Sequence, residues 1–460
     1  MANHPRIQPA PARLYLLFFL ALWFTYGVLI NSGNLNAFGL QHAGVDAYVA
    51  RHNFYLEGAT DPRLKVEPVV DAFLFNGHVY PAKQPGQFML GALVYFPLHT
   101  LGLTYTSNYL LTAALVTFFT AGFVAALSAV VVFSLARRFA TSSGTFWPLV
   151  VALSYALGST IAAYSGIAWH DTLATGYLVM AVYFIVRLAR EQQPGRAKFF
   201  AAGAGVFLGL TITTSMLPFL MTLVAAAYFL SLRRWKLLVP FILGGALGIA
   251  PLLIYNIICF GNPLLVPNLA GNYSDTFFRP TLSNLLSKLQ FYPRMITLYV
   301  PVFWAGLAGL LLFPARLRRE QIFIGASLAA LFLYVLNIEA TGTCQYGPRY
   351  LLPAMPFASL GLIGFSFVSR KPIKILASAS VLVVLLASAG INVIGAMHGS
   401  MLCDYPHSAW QLYIAEMMNG QMRSFPLAKW LFLPMVASIS LFVFTIISTS
   451  KQAGSNGETI

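Results

Sequence analysis

Apolar residues in this chain do not alternate; they come in runs. Stretches near 12–31, 107–135, 145–163, 168–190, 198–213, 215–231, 236–257, 294–313, 321–338, 349–368, 373–395 and 428–449 are apolar almost throughout, with polar segments between them. Backbone groups in lipid must pair within their own segment, and a helix of about 20 residues does this while crossing the hydrocarbon layer. A spanning barrel would alternate in and out over about 10 residues, and no such pattern is present. The runs therefore predict an all-α polytopic membrane protein of about twelve transmembrane helices. They form one domain over 1–449, followed by a frayed cytoplasmic tail over 450–460. The first run, Leu14–Ile30, lies behind Arg6 and Arg13 and lacks a small-residue cleavage site, so it reads as a retained signal anchor.

Charge sets the orientation. The basic residues fall in clusters between runs: Arg137-Arg138, Arg187 to Lys198, Arg233 to Lys236, Arg316 to Arg319 and Arg370 to Lys374. The apolar stretch 86–103 decides their side. Counted as a crossing, it inverts every later loop; read as a juxtamembrane or re-entrant helix, it puts all five clusters inside. The inner segments then hold 18 of the 28 Lys and Arg but 3 of the 13 acids, as orientation by loop charge requires. The net charge of +15 is thus a topology signal and not a nucleic-acid surface. Cys259, Cys344 and Cys403 do not have metal-ligand spacing. A disulfide between two of them is open in an oxidising compartment, isolated thiols being the plainer reading.

Four sizeable polar segments, 32–106, 258–293, 339–348 and 396–427, then share the outer face, and the candidate chemistry lies there. Segment 45–58 has the spacing of an amphipathic interfacial helix. Its Asp46 would be a general base or metal ligand, or else an ordinary solvated or capping residue. Asp71 precedes the string NGHVYPAKQPG (76–86), which carries His78, Tyr80 and Lys83. Asn76-Gly77 is a turn signal, and Pro81 and Pro85-Gly86 fence Lys83 into a fixed loop suited to a lipid-linked phosphate; a snorkelling lysine is the bland alternative. His170-Asp171 stands at an outer helix end, with Asp171 as the N-cap and His170 facing the cavity. Arg349 opens a helix between Tyr346 and Tyr350. At that depth it must meet an anion or a watery cavity: a phosphate, or Glu339 in a structural pair. The segment 255–268 reads as a turn-rich loop, a candidate lid. No phosphate-cradling Gly loop, HExxH, paired CxxC or GxSxG occurs.

At these residues the chain resembles the polyprenyl-phosphate-sugar-dependent glycosyltransferases of the GT-C fold, in particular bacterial relatives of protein O-mannosyltransferases and of the lipid A aminoarabinose transferase. The resemblance spans most of the chain. It rests on the large first outer loop and on Asp71, Ala72, Gly77, His78, Tyr80, Lys83, Pro85 and Gly86. His170, the YN…FG-x-P string (255–263) and Gly347-Pro348-Arg349-Tyr350-Leu351 with Pro353 complete it. Many relatives carry an acid soon after the first span; here the first is Asp46.

The resemblance implies a hexosyl or pentosyl transferase of the inner (plasma) membrane, with its active face outside the cytoplasm. The donor would be a polyprenyl-phosphate-linked sugar and the acceptor a lipid, glycan or protein. Asp46 or Asp71 would act as base. Lys83, His170 and Arg349 would bind the donor phosphate, and His78, Tyr80, Asp171, Tyr346 and Tyr350 would line the cavity. No cofactor is required by this scheme, and a divalent metal is left open. A transporter or flippase of lipid-linked or small solutes is the rival expectation, and an inactive lipid-binding scaffold a third.

Overall fold

The computed structural model describes residues 12–59, 61–64, 71–140, 144–342, 345–399, 409–420 and 423–455. The chain is a helical bundle, and among the described residues eight helices are long and apolar enough to cross a membrane. They are Ala12–Leu29, Tyr105–Phe139, His170–Arg190, Pro194–Thr214, Trp235–Phe260, Arg349–Phe367, Lys371–His398 and Ala428–Ser448. The expectation of an all-α multi-pass membrane protein holds.

Of the other four expected runs, three are short or broken helices and the fourth is a full-length helix with a charged start. Phe146–Ala156 and Phe219–Ser231 are short, and the run 294–313 divides at Val300-Pro301 between Leu282–Tyr299 and Val302–Leu310. Arg318–Val335 brings three charges into its first turn. The stretch 86–103 forms the helix Gly86–Thr100. Its 15 residues rise roughly 22 Å, short of the ~30 Å hydrocarbon layer.

Helices pack through small residues, since lipid gives apolar surfaces no reason to seek one another and contact must come from close backbone approach. Between Pro194–Thr214 and Trp235–Phe260 the backbones nearly touch. A Cβ added to Gly205 would lie 2.0 Å from the Phe241 carbonyl oxygen, and one on Gly248 would lie 2.2 Å from that of Val206. The first helix closes on the last, with the Phe18 and Phe442 rings stacked at 5.1 Å.

The first loop is folded. Residues Gly39–Val49 form a buried helix packed on Gly86–Thr100. Phe88 lies against Gly44 and Val45 against Gly91. Beyond it comes a hairpin of β1 (Ala72–Phe75) and β2 (His78–Pro81), paired antiparallel with Phe75 opposite His78. Asn76 and Gly77 both have positive φ, 48° and 84°, the two-residue turn that the Asn-Gly pair specifies. Phe73 and Tyr80 pin the hairpin to Tyr255 and Phe260 at the end of a long helix. The hairpin marks this end of the bundle as its loop face.

Several local expectations change. The 45–58 helix instead starts at Gly39 and stops at Val49. Arg51 then draws the carbonyls of Ala43, Tyr55, Leu56 and Glu57 around its guanidinium, and His52 turns to positive φ. Residues 255–260 finish a helix that Gly261 ends in the left-handed region, so the loop begins only there. The last helix runs on to Ser455, through most of the expected tail. Cys344 and Cys403 lie outside the described residues, and Cys259 is a buried free thiol.

Candidate functional site: a cationic cluster at the loop face

The site begins with a backbone conformation. Asp71, just before β1, sits at φ 60°, a left-handed region that Asp tolerates better than most residues. The hairpin fixes it there: its carbonyl accepts from Ala82 N at 2.7 Å. This brings together two side chains twelve residues apart, and Lys83 Nζ donates to Asp71 Oδ1 at 2.7 Å. Burial opposes ionisation of Asp71. The Lys83 charge and hydrogen bond, with Arg349 and His170 nearby, outweigh it and hold the carboxyl below its ordinary range.

The Lys83 loop is seated by Gly86. A Cβ there would lie 2.3 Å from Thr214 Oγ1 and 2.9 Å from the Thr213 carbonyl oxygen. Only glycine lets the loop rest on this helix end. Gly86→Val should lift the loop and cost roughly 1–3 kcal/mol of stability, read as a lower thermal midpoint in detergent.

One residue on, Ser215 Oγ donates to Asp171 Oδ1 at 2.7 Å, and Trp169 Nε1 donates to Asp171 Oδ2 at 3.1 Å. Asp171 is not the expected N-cap: the helix starts at His170 and Trp169 is the capping position. The carboxylate instead lies in the first turn, where the helix dipole favours an anion, and holds Trp169 and Ser215 in place. His170 Nε2 stands 3.4 Å from Asp171 Oδ1, while its Nδ1 is buried without a hydrogen-bond partner.

The Trp169 ring joins the cations. Lys83 Nζ lies 5.9 Å and Arg349 Cζ 5.2 Å from its ring centroid, and the His170 ring lies 4.6 Å away. Arg349 arrives from the far end of the sequence through Gly347 (φ 62°) and Pro348. Its Nη2 donates to Tyr350 OH at 2.8 Å. Gly342 leaves room at the guanidinium edge, where an added Cβ would lie 3.0 Å from Nε. That Nε is buried and has no hydrogen-bond partner, and among the described residues Arg349 forms no salt bridge. The alternative pairing with Glu339 is therefore not formed. A permanent charge buried with no carboxylate in contact, Asp71 and Asp171 acting on it only from a distance, is costly.

Asp71, Lys83, His170, Asp171, Arg349 and Tyr350 thus meet, and four other candidates stand apart from them. Asp46 is buried and bonded to Arg51 Nε at 3.1 Å. Burial raises its pKa while Arg51, His99 and Tyr95 oppose the rise. The same Arg51 guanidinium gathers the carbonyls of the following turn. His78 pairs with Glu57 at 2.5 Å and stacks on Tyr55. Tyr80 belongs to the aromatic seat of the hairpin. Tyr346 is wholly buried: its hydroxyl donates to the Ile391 carbonyl, its own carbonyl accepts from Tyr164, and its ring lies on Gly395.

Sequence reasoning missed Trp169 and Ser215. The signals were a tryptophan beside a His-Asp pair and the polar Thr213-Thr214-Ser215 step inside an apolar run. It also missed Lys288, which is buried and donates to the carbonyls of Glu339 and Ala340, just before Gly342. Burial brings Lys288 down from 10.5 to about 8, with Glu339 opposing. The unfolded chain therefore keeps this proton longer than the folded one, and stability should rise with pH between about 8 and 10.5. Melting profiles of the protein and of Lys288→Met check this, the rise being absent in the variant. Among the described residues no three His, Cys, Asp or Glu side chains converge as a metal site.

This helical architecture, with its structured first loop, is the GT-C fold. It is found in ArnT from Cupriavidus metallidurans, whose apo crystal structure matches with a TM-score of 0.51 at 15% identity. The crystal structure of the same protein bound to undecaprenyl phosphate gives 0.50 at 12% identity. Both matches cover 94% of this chain and 75% of the other. No family model matches the sequence, and no curated protein does so significantly.

Proposed function

We propose that this protein is a membrane glycosyltransferase that takes a sugar from a polyprenyl-phosphate donor at the loop face. The observation that carries the proposal is Arg349: a buried guanidinium with an unpartnered Nε, sharing the Trp169 platform with Lys83 and standing near Asp71. A phosphate suits this arrangement, since it supplies the charge and the acceptor oxygens that Arg349 lacks. The fold shared with ArnT, one of whose structures holds undecaprenyl phosphate, supports the same ligand class.

In this reading the transfer is one inverting displacement. The acceptor oxygen attacks the anomeric carbon and loses its proton to Asp71. The bond from that carbon to the phosphate oxygen breaks, and its electron pair leaves on the polyprenyl phosphate. Lys83, Arg349 and His170 face the negative charge that grows there, which is where electrostatic catalysis acts most strongly. As the leaving oxygen gains charge, the Lys83 ammonium turns from Asp71 towards it, freeing the carboxylate for the proton. The lipid tail enters between helices. The loop face lies outside the cytoplasm, in an inner or plasma membrane. The sugar is a hexose or pentose, and the acceptor a lipid, glycan or protein.

The test uses purified protein in detergent with polyprenyl-phosphate donors radiolabelled in the sugar. Label should leave the lipid in an enzyme-dependent manner with at least one hexosyl or pentosyl donor. Movement of intact donor across a vesicle bilayer without cleavage would instead identify a flippase and overturn the proposal.

A further inference from the structure

The opposite end of the bundle carries a second cationic cluster, far from the chemistry above. Arg138 is the penultimate residue of the long helix Tyr105–Phe139. Arg187 and Arg190 lie in the last turn of His170–Arg190, whose first residue belongs to the loop face. The two helix ends meet at Tyr183. Arg138 Cζ lies 5.9 Å and Arg187 Cζ 5.8 Å from that ring centroid, and Arg187 Nη1 donates to the Tyr183 hydroxyl at 3.1 Å. Tyr15, on the first helix, acts on Arg138 only electrostatically, without a hydrogen bond.

Each arginine alone would be a cation complementing a helix C-terminus. Together they are too many for that explanation. Arg187 and Arg190 are near enough to repel Arg138, whose Nε is buried without a hydrogen-bond partner. Among the described residues none of the three forms a salt bridge. The adjacent acid, Glu191, turns its carboxylate to the backbone N–H groups of Gln192 and Gln193 and attracts Arg187 and Arg196 only from a distance, forming no salt bridge with either. Arg190 is exposed and can reach water, but Arg138, with a buried unpartnered Nε and Arg187 beside the same ring, is best satisfied by an anion at the same depth. Guanidinium forks with flanking phenol hydroxyls suit a phosphodiester, which accepts hydrogen bonds at two oxygens.

We propose that Arg138, Arg187 and Arg190, around Tyr183, form a binding site for the phosphate of an anionic phospholipid in the leaflet opposite the loop face. The lipid seats its headgroup on the arginines and lays its acyl chains along the half-buried stripe of Leu127, Val130, Val131 and Ser134 on the first of these helices. It staples the C-terminal end of Tyr105–Phe139 to that of His170–Arg190, and so steadies the helix that presents His170 and Asp171 at its other end. This site is independent of the donor reading.

Native mass spectrometry of the full chain released from detergent tests it, with dioleoylphosphatidylglycerol, dioleoylphosphatidylcholine and inorganic phosphate as probes. The protein should retain phosphatidylglycerol under activation that strips phosphatidylcholine. Arg138→Gln/Arg187→Gln should bind phosphatidylglycerol about thirty-fold more weakly, while Arg316→Gln/Arg318→Gln, on a different loop, should bind it as before. The first pair of substitutions relieves repulsion, so it should melt no lower than the parent protein when both are delipidated. Equal retention of the two lipids by the parent protein, undiminished retention by Arg138→Gln/Arg187→Gln, or displacement of the lipid by millimolar inorganic phosphate would overturn the proposal.

Discussion

Arg349→Ala is expected to lower sugar transfer by about 10²–10³-fold, the usual loss when one donor aimed at developing charge is removed. The same substitution should leave the thermal midpoint unchanged or raise it. These two outcomes belong together. A buried guanidinium with no carboxylate in contact is a charge kept out of water at a cost, and Arg349 has an aromatic neighbour, a Tyr350 hydroxyl, an unpartnered Nε and the Asp71 and Asp171 carboxylates only at a distance. Its removal relieves the fold and disarms the site. Arg349→Lys should restore the charge but not the planar fork, and recover transfer only in part. Steady-state transfer rates and melting curves of the three proteins check both halves.

Asp71→Asn is expected to lower kcat by about 10²–10⁴-fold, the range for loss of a positioned general base. Asparagine tolerates the left-handed backbone nearly as well as aspartate, so the hairpin and the Lys83 loop should survive and the loss should be chemical. Asp46→Ala is the contrasting variant. It breaks the bond to Arg51, whose other partners are backbone carbonyls, and should cost about 3 kcal/mol of stability while transfer by the folded fraction stays near normal. The acid side of the pH profile separates the two carboxylates further. Lys83 holds Asp71 below 3.8. The stability it contributes is therefore complete above the unfolded pKa and is lost only as pH falls through the lower folded value. Asp71 should give no acid limb above about pH 4.

The cations of the site were legible because charge at the edge of an apolar run is costly and therefore informative. Lys83, His170 and Arg349 could each be singled out from sequence alone. What could not be read was which acid they would meet. Asp46 and Asp71 looked alike as isolated letters. They differ because Asn76-Gly77 closes a hairpin that returns Lys83 to Asp71, whereas Arg51 folds back on Asp46. An arginine five positions on was a sign of local pairing that the helical reading of 45–58 obscured. Tyr346 was misleading for a similar reason: an aromatic beside Arg349 can line a cavity or anchor a loop, and Gly395, which receives its ring, lies 49 positions later in the chain. Trp169 was lost among the many aromatics of a membrane protein, although it is the surface that Lys83 and Arg349 share. The bundle was readable at the level of helices. The short and broken ones depended on Pro301, on charged first turns and on glycine contacts between helices, which single-segment hydropathy does not contain.

In the proposed reaction Lys83 and Arg349 together grip a polyprenyl phosphate. Equilibrium binding of undecaprenyl phosphate to the purified protein and to Lys83→Ala/Arg349→Ala tests it without knowledge of the sugar. Saturable binding that the double substitution weakens at least 100-fold is the predicted result. Equal binding by both proteins, or none by either, would contradict it.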